Sequence, residues 1–215
     1  MKNINELISD INTNADSIKQ ILTTKRKVKN LNDRLNPLEK YNKIQNLFSC
    51  NNLSTFDKEV FKKYYIDFYQ LQTRFLNITY INNYFNLFDY YRQISISTDH
   101  IKPIAEQLRD ESDKEKYQFS FLTKFMHTCN PTIPIYDNNV KKTLALSKVN
   151  GKTYPDKVTH SIDILNTLQN CYKDLENNSD FCNTLKQFDI LFQDFNIQFV
   201  KKCDFIFWAL KKIKK

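Results

Sequence analysis

Hydrophobic and polar residues follow the spacing of amphipathic helices along most of the chain. Apolar side chains recur at intervals of three and four residues, which places them on one face of a helix and predicts that this face is buried. The predicted inward-facing sets are Phe61, Tyr64, Phe68, Leu71 and Phe75; Ile78, Ile81, Phe85 and Phe88; Ile101, Ile104, Ala105 and Leu108; Phe121, Leu122, Phe125 and Met126; Leu165, Leu168, Tyr172 and Leu175; Leu185, Phe188, Phe192, Phe195 and Phe199; and Phe205, Trp208 and Leu210. The pattern predicts an all-α, multi-helix globular bundle with Trp208 in its core.

Local signals predict where some helices begin and where the chain is extended. Residues with good N-cap side chains precede three apolar-periodic segments: Ser54 or Thr55, Asp137 or Asn138, and Ser179. Prolines at 131 and 134 disfavour helix, so residues 132–136 are expected to be extended.

The length of the chain is suited to one domain. Its 215 residues are enough for a single core, and we interpret residues 1–215 as one all-helical unit. The first 35 residues or so are less apolar. They are expected to form either a peripheral helix or a basic arm that includes Lys25-Arg26-Lys27.

The chain contains only one glycine, Gly151. Gly-rich phosphate loops, dinucleotide fingerprints and nucleophile elbows all need several glycines, so these enzyme classes are excluded. An all-β fold is disfavoured as well, because its tight turns need residues that tolerate positive φ.

Basic residues outnumber acidic ones and give a formal net charge of +8. This charge fits a polyanionic partner, either nucleic acid or an anionic membrane surface, and it also fits a solvated Lys-rich surface. No apolar run has the length of a membrane span and the N-terminus lacks a signal-peptide core, so we expect a cytoplasmic protein with no membrane partner.

Five cysteines are spaced widely and form no CxxC pair. We interpret them as buried free thiols. The three histidines do not fall at ligand spacing from them, so no metal site and no cofactor is predicted.

Residues 119–146, FSFLTKFMHTCNPTIPIYDNNVKKTLAL, combine an apolar helix, an extended Pro-containing stretch, an Asp and a second helix. This segment resembles the helix-hairpin-helix, Gly/Pro-rich, Asp-containing (HhH-GPD) DNA glycosylase superfamily, particularly its endonuclease III and adenine glycosylase members. The matching run is Pro134-Ile135-Tyr136-Asp137-Asn138-Asn139-Val140-Lys141-Lys142, continuing to Leu144-Ala145.

The resemblance implies a DNA glycosylase-like hydrolase that removes a damaged or modified base, in repair or in defence against modified foreign DNA. Asp137 would be the catalytic carboxylate, which stabilises an oxocarbenium-like sugar and orients or deprotonates water. The base would be flipped out of the duplex into a pocket. The side chains expected to bind it are Tyr136, His127, Phe125, Lys124 and Asn139. DNA would contact Lys114, Lys116, Lys141 and Lys142.

The segment departs from the family pattern in three ways. No glycine lies in residues 106–118, where the family has its DNA-clamping hairpin, and the C-terminal part lacks the iron–sulfur cysteines. Members that cut the strand carry a Lys near the start of the helix before the Asp, where this chain has Tyr117 and Gln118, with Lys124 further along. We therefore favour base removal without Schiff-base chemistry.

Simpler interpretations stay open for these residues. Asp137 also suits a plain N-cap, and a lone His127 in an apolar helix also suits a core position. The whole chain also fits a non-catalytic helical module that binds nucleic acid or protein on the same scaffold. A membrane-surface protein fits less well, because the basic residues are dispersed along the chain.

Overall fold

The computed structural model describes residues 3–71, 77–109 and 116–213. Within these ranges the chain forms twelve α-helices, one 3-10 helix at Thr98–His100 and two very short strands. The helices are α1 (Ile4–Thr13), α2 (Ala15–Thr23), α3 (Pro37–Ser49), α4 (Thr55–Tyr69), α5 (Ile78–Tyr91), α6 (Ile101–Gln107), α7 (Phe119–Cys129), α8 (Asn138–Thr143), α9 (Tyr154–Asn177), α10 (Ser179–Lys186), α11 (Asp189–Phe192) and α12 (Phe199–Ile213). The predicted all-α fold is confirmed.

Helix α4 begins where the sequence predicts and ends earlier. The Ser54 side chain accepts from the backbone N–H of Asp57 and the Asp57 carboxylate accepts from the Ser54 N–H, which makes a capping box. Gln70 adopts a left-handed conformation and ends the helix, so Leu71 lies beyond it. Phe75 lies outside the described residues.

Helix α5 buries Ile81 and Phe88 as predicted, but its buried face also includes tyrosines outside the predicted set. Ile78 is 65% exposed, whereas Tyr80 and Tyr84 are buried. The Tyr84 hydroxyl donates to the Phe121 carbonyl at 2.9 Å and also contacts the Tyr65 hydroxyl at 2.7 Å. Tyrosine is buried here because its ring packs in the core while its hydroxyl finds partners.

The apolar series from Leu185 to Phe199 is divided among three helices instead of lying on one. Helix α10 ends at Lys186, the short α11 follows, and α12 begins at Phe199. The N-cap of α10 is Asn178, whose side chain accepts from the Phe181 N–H at 2.8 Å, so Ser179 is the first helical residue and not the cap.

The N-terminal helices belong to the core. Leu7, Ile11, Ile18 and Leu22 are at most 2% exposed, and α2 packs against α12. Among the described residues 3–35, α1 and α2 therefore belong to the core, and Lys25-Arg26-Lys27 is not a free arm. Lys25-Arg26-Lys27 is instead the start of a small antiparallel ribbon, β1 (Arg26–Lys27) with β2 (Arg34–Leu35).

All five cysteines are free, but only Cys171 and Cys203 are fully buried and Cys50 is exposed. Within the described ranges, no group of three or more His, Cys, Asp and Glu side chains is placed to hold a metal ion. No helix in the described part of the chain combines the length and the apolar character needed to cross a membrane.

Candidate active site

A cavity of about 150 Å³ lies where α12 meets α3, α4 and α8. The ribbon and the end of α2 border it on one side, and the start of α8 borders it on another. Eighteen residues line it: Thr24, Arg26, Leu35, Pro37, Lys40, Asp67, Phe68, Tyr69, Gln70, Lys124, Ile135, Asp137, Asn139, Val140, Lys201, Asp204, Phe205 and Trp208. A cavity of this size has room for about one six-membered ring, and charged side chains form much of its lining.

Asp137 is held on the cavity wall by the start of α8. The chain reaches it in an extended conformation, and its Oδ1 accepts from the backbone N–H groups of Asn139 at 2.7 Å and Val140 at 2.9 Å. These two bonds fix the orientation of the carboxylate. Both bonds use Oδ1, so Oδ2 is left for a ligand or a water in the cavity. Asp137 is thus a helix cap whose second oxygen is available for chemistry.

Two buried lysines share the cavity with Asp137. Lys124 of α7 is 9% exposed and Lys201 of α12 is 4% exposed. Burial lowers the pKa of Lys124, and the charge of Asp137 opposes that shift. Burial likewise lowers the pKa of Lys201, and the charges of Asp204 and Asp137 oppose it. Both amines therefore lose their proton at a lower pH than surface lysines do.

Aromatic rings surround the Lys201 ammonium. Its Nζ lies 5.0 to 5.3 Å from the ring centroids of Tyr41, Phe68, Tyr69 and Phe205. The negative faces of such rings attract a cation and offset part of the cost of burying it. Phe68, Tyr69 and Phe205 also line the cavity, and their rings are steeply inclined to one another, with interplanar angles of 80° between Phe68 and Tyr69 and 71° between Phe68 and Phe205.

Asp204 lines the cavity, and its buried Oδ2 has no hydrogen-bond partner among the described residues. Asp204 Oδ1 accepts from the Tyr172 hydroxyl, and Oδ2 lies 3.8 Å from Lys201 Nζ. Burial raises the pKa of Asp204, while the charge of Lys201 opposes the shift. An unsatisfied buried polar atom is costly, so its presence here indicates a site for water or for a polar ligand.

Three of the predicted site residues meet at this cavity: Asp137, Lys124 and Asn139. Asn139 lies beside Asp137 and supplies one of the backbone N–H groups that hold it. The amine, the carboxylate and the amide that meet here therefore come from α7 and from the start of α8, which are neighbours in the sequence.

Phe125, His127 and Tyr136 do not line the cavity, contrary to the prediction. Phe125 is fully buried with its ring centroid 4.5 Å from that of Phe88. Successive residues of α7 point about 100° apart, so the turn that directs Lys124 into the cavity directs Phe125 into the core. The backbone at Tyr136 is extended, and its neighbour Asp137 therefore faces the opposite side.

Tyr136 and His127 have structural partners elsewhere. The Tyr136 hydroxyl donates to the Ser147 carbonyl at 2.6 Å. His127 is fully buried between the Ile133 carbonyl, 2.8 Å from Nδ1, and the Tyr41 hydroxyl, 3.2 Å from Nε2. Burial, together with the charge of Lys201, lowers the pKa of His127 well below its usual value, so the ring is neutral at pH 7. His127 is a core residue.

The lysines predicted to contact DNA lie on two parts of the surface. Lys142 of α8 is exposed and Lys141 is half-buried, so both lie on the helix that Asp137 caps. Lys116 is half-buried in the segment just before α7, and Lys114 lies outside the described residues.

Sequence reasoning missed the contribution of α12. Lys201, Asp204, Phe205 and Trp208 follow the i, i+3, i+4, i+7 spacing of one helical face, and all four line the cavity. Two charged residues inside an apolar stripe were a signal of a buried polar site. Trp208, expected in the core, is half-buried at the cavity.

Comparison of the chain with protein-family models, with curated proteins and with solved structures finds no match.

Proposed function

We propose that the cavity receives a nucleobase flipped out of DNA and that the protein hydrolyses its N-glycosidic bond. The observation that carries this proposal is the position of Asp137, a carboxylate fixed by two backbone N–H groups at a cavity of about 150 Å³ with aromatic walls. The motif around Asp137, which resembles that of HhH-GPD glycosylases, supports the same reaction.

The cavity has the features that a base would use. Its size suits a single aromatic ring, and Phe68 and Trp208 provide half-buried rings for stacking. Asp204 lines the cavity and its Oδ2 lacks a hydrogen-bond partner among the described residues, so it is a candidate acceptor for the polar edge of a base.

In the proposed reaction, the bond between C1′ and the base nitrogen breaks as water adds to C1′. Asp137 stabilises the positive charge that develops on the sugar and accepts a proton from the attacking water. The base leaves with the electron pair of the broken bond. The ammonium groups of Lys124 and Lys201 stabilise this negative charge, and a proton completes the free base.

The test is a base-release assay with oligonucleotides that carry assorted damaged and modified bases, and with phage DNA that contains hypermodified bases. Abasic sites are revealed by alkali. The variant Asp137→Asn keeps the Oδ1 acceptor that caps α8 and removes the charge, so it should fold normally and lose base release by roughly a hundredfold or more. Asp174→Asn removes an exposed carboxylate on α9 and serves as the matched control.

Equal activity of the two variants would overturn the role of Asp137. Release from no substrate by the folded wild type would favour the non-catalytic binding module instead. A borohydride arm tests Lys124 separately, because a covalent protein–DNA adduct in that arm would show that an amine attacks the sugar.

A further inference from the structure

The ribbon beside the cavity carries an unusual arrangement of charge. Strands β1 and β2 are antiparallel, and the register places Arg26 opposite Leu35 and Lys27 directly opposite Arg34. Like charges directly opposite each other weaken a strand pair, and two-residue strands have little stability of their own. The ribbon therefore holds its basic side chains together against their mutual repulsion.

Contacts with α3 and α4 hold the ribbon in place. Val28 is fully buried beneath it, and the Val28 N–H donates to the Asp33 carbonyl at 2.8 Å. The Tyr64 hydroxyl donates to the Asp33 carboxylate, and the Lys29 N–H donates to Asp67 Oδ1 at 3.1 Å. These contacts fix the backbone and leave the basic side chains directed to solvent.

The acidic groups near the ribbon are already engaged. Asp33 accepts from Tyr64, and Asp67 forms an ion pair with Lys40 at 2.6 Å. Lys25 pairs with Glu39 at 3.0 Å. By contrast, four exposed cations form no ion pair with any described residue: Arg26, Lys27, Lys29 and Arg34.

The ribbon also borders the cavity. Arg26 and Leu35 line it from one side, while Asp137 lines it from the start of α8, where Lys141 and Lys142 follow. A polynucleotide with one base in the cavity would have its backbone at the cavity mouth, next to these cations.

We propose that this basic ribbon, residues 25–35, binds the phosphate backbone of nucleic acid at the mouth of the cavity. Its place beside a flipped base rests on the proposed function, whereas its affinity for phosphates rests on its own charge. Nucleic acid is favoured over a membrane surface because the apolar residues of the ribbon pack inward: Val28 is buried, and Leu31 and Leu35 pack against the core.

The test is fluorescence anisotropy with a short labelled duplex and the matching single strand, at salt concentrations between about 50 and 200 mM. The variant K27Q/K29Q/R34Q, which leaves the cavity-lining Arg26 in place, should weaken binding roughly tenfold or more. It should also flatten the slope of log K against log salt by about 0.9 for each duplex phosphate that the variant no longer neutralises. Circular dichroism and thermal unfolding should match the wild type, since the substituted side chains are exposed.

A control variant, K152Q/K173Q/K186Q, removes the same number of exposed cations from residues that do not line the cavity. Its affinity should stay within about twofold of the wild type, because phosphate contacts act locally. Equal weakening in both triple variants, or no binding by the wild type, would overturn the proposal. Ribbon-dependent binding to phosphatidylserine vesicles without binding to either oligonucleotide would overturn it in favour of a membrane surface.

The outcomes separate this inference from the proposed catalysis. Base release by the wild type with normal DNA affinity in the ribbon variant would overturn the role of the ribbon and leave the activity standing. Ribbon-dependent DNA binding without base release from any substrate would support the role of the ribbon and overturn the proposed base release. If both proposals hold, the ribbon variant should still release base at saturating protein and low salt, whereas Asp137→Asn should bind DNA normally and release none.

Discussion

Lys201 and Asp204 lie one turn apart on α12, both buried, with Nζ of the lysine 3.8 Å from Oδ2 of the aspartate. The distance is longer than a hydrogen bond, so the charges attract each other without satisfying Oδ2 directly. A buried pair of this kind contributes little net stability compared with apolar residues, because both groups lose their hydration. Its retention at the cavity suits a role in binding.

Substituting one member of this pair should destabilise the fold more than substituting both. Lys201→Met leaves Asp204 buried without its cation, and we expect a loss of about 3 kcal/mol in the free energy of unfolding at pH 8. The double variant K201M/D204L should recover most of that loss. Urea unfolding of K201M, D204L and K201M/D204L measures the coupling between the two side chains. Additive losses would contradict this account of the pair.

The stability contributed by Asp204 should decrease as pH rises. Burial raises its pKa in the folded chain, so the folded state keeps a proton that the unfolded state releases near pH 4. The difference in unfolding free energy between wild type and Asp204→Asn should therefore fall from about pH 4 towards the raised pKa, at up to about 1.4 kcal/mol per pH unit. It should level off above the raised pKa.

Urea unfolding across this pH range provides the measurement, with Asp174→Asn as the exposed control. The groups that act on Asp204 are Lys201, the hydroxyl of Tyr172 and Asp137, and burial lowers the pKa of Lys201 to about 8, close to the upper end of this range. The quantity to compare is the difference in unfolding free energy between wild type and each variant. If this difference changes with pH by the same amount for Asp204→Asn and Asp174→Asn, Asp204 does not titrate in this way.

Occupancy of the cavity should change the intrinsic fluorescence of the protein. Trp208 is the single tryptophan of the chain and lines the cavity, so its emission reports on that site alone. Titration of Asp137→Asn with a substrate oligonucleotide should quench or shift the emission without turnover. Trp208→Phe should keep a stacking ring and lose the signal, while Trp208→Ala should weaken binding by about 1 to 3 kcal/mol. Unchanged emission at saturating DNA would exclude stacking on Trp208.

His127 should matter for stability and not for base recognition. His127→Leu leaves the Ile133 carbonyl and the Tyr41 hydroxyl without their partner, and we expect a loss of about 1 to 3 kcal/mol in unfolding free energy. Tyr41→Phe removes the bond to Nε2 from the other side and should also lower stability. Both variants should retain the substrate preference of the wild type well below their unfolding temperature. A changed substrate preference in His127→Leu alone would show that His127 takes part in base recognition.

Periodicity predicted the fold well because burial of an apolar stripe is a local property of a helix. The inward residues of α6 and α9 all prove buried, and Asp137 proves to be the residue that caps α8. The prediction was wrong at Ile78 in α5, because tertiary packing determines which side of that helix is buried. It was also wrong between Phe188 and Phe199, because the helix breaks where the apolar spacing continues.

The candidate site was only partly predictable because its walls are distant in sequence. Lys124 and Asp137 occur within one motif, so the sequence indicated them together. Tyr69 and Asp204 meet them only through the packing of α4 and α12, which no local pattern encodes. Phe125 and Tyr136 were wrongly placed because proximity along the chain says nothing about which way a side chain faces.

The part played by α12 has a consequence for the order of events during synthesis. The ribbon leaves the ribosome before α12, which carries Lys201, Asp204, Phe205 and Trp208 to the cavity. Until α12 docks, the apolar side chains of α2 that pack against it have no cover, and the cavity lacks one wall. A nascent chain therefore has the cationic residues of the ribbon before it has the cavity. Under the two proposals, the capacity to bind a polynucleotide would precede the capacity to act on one.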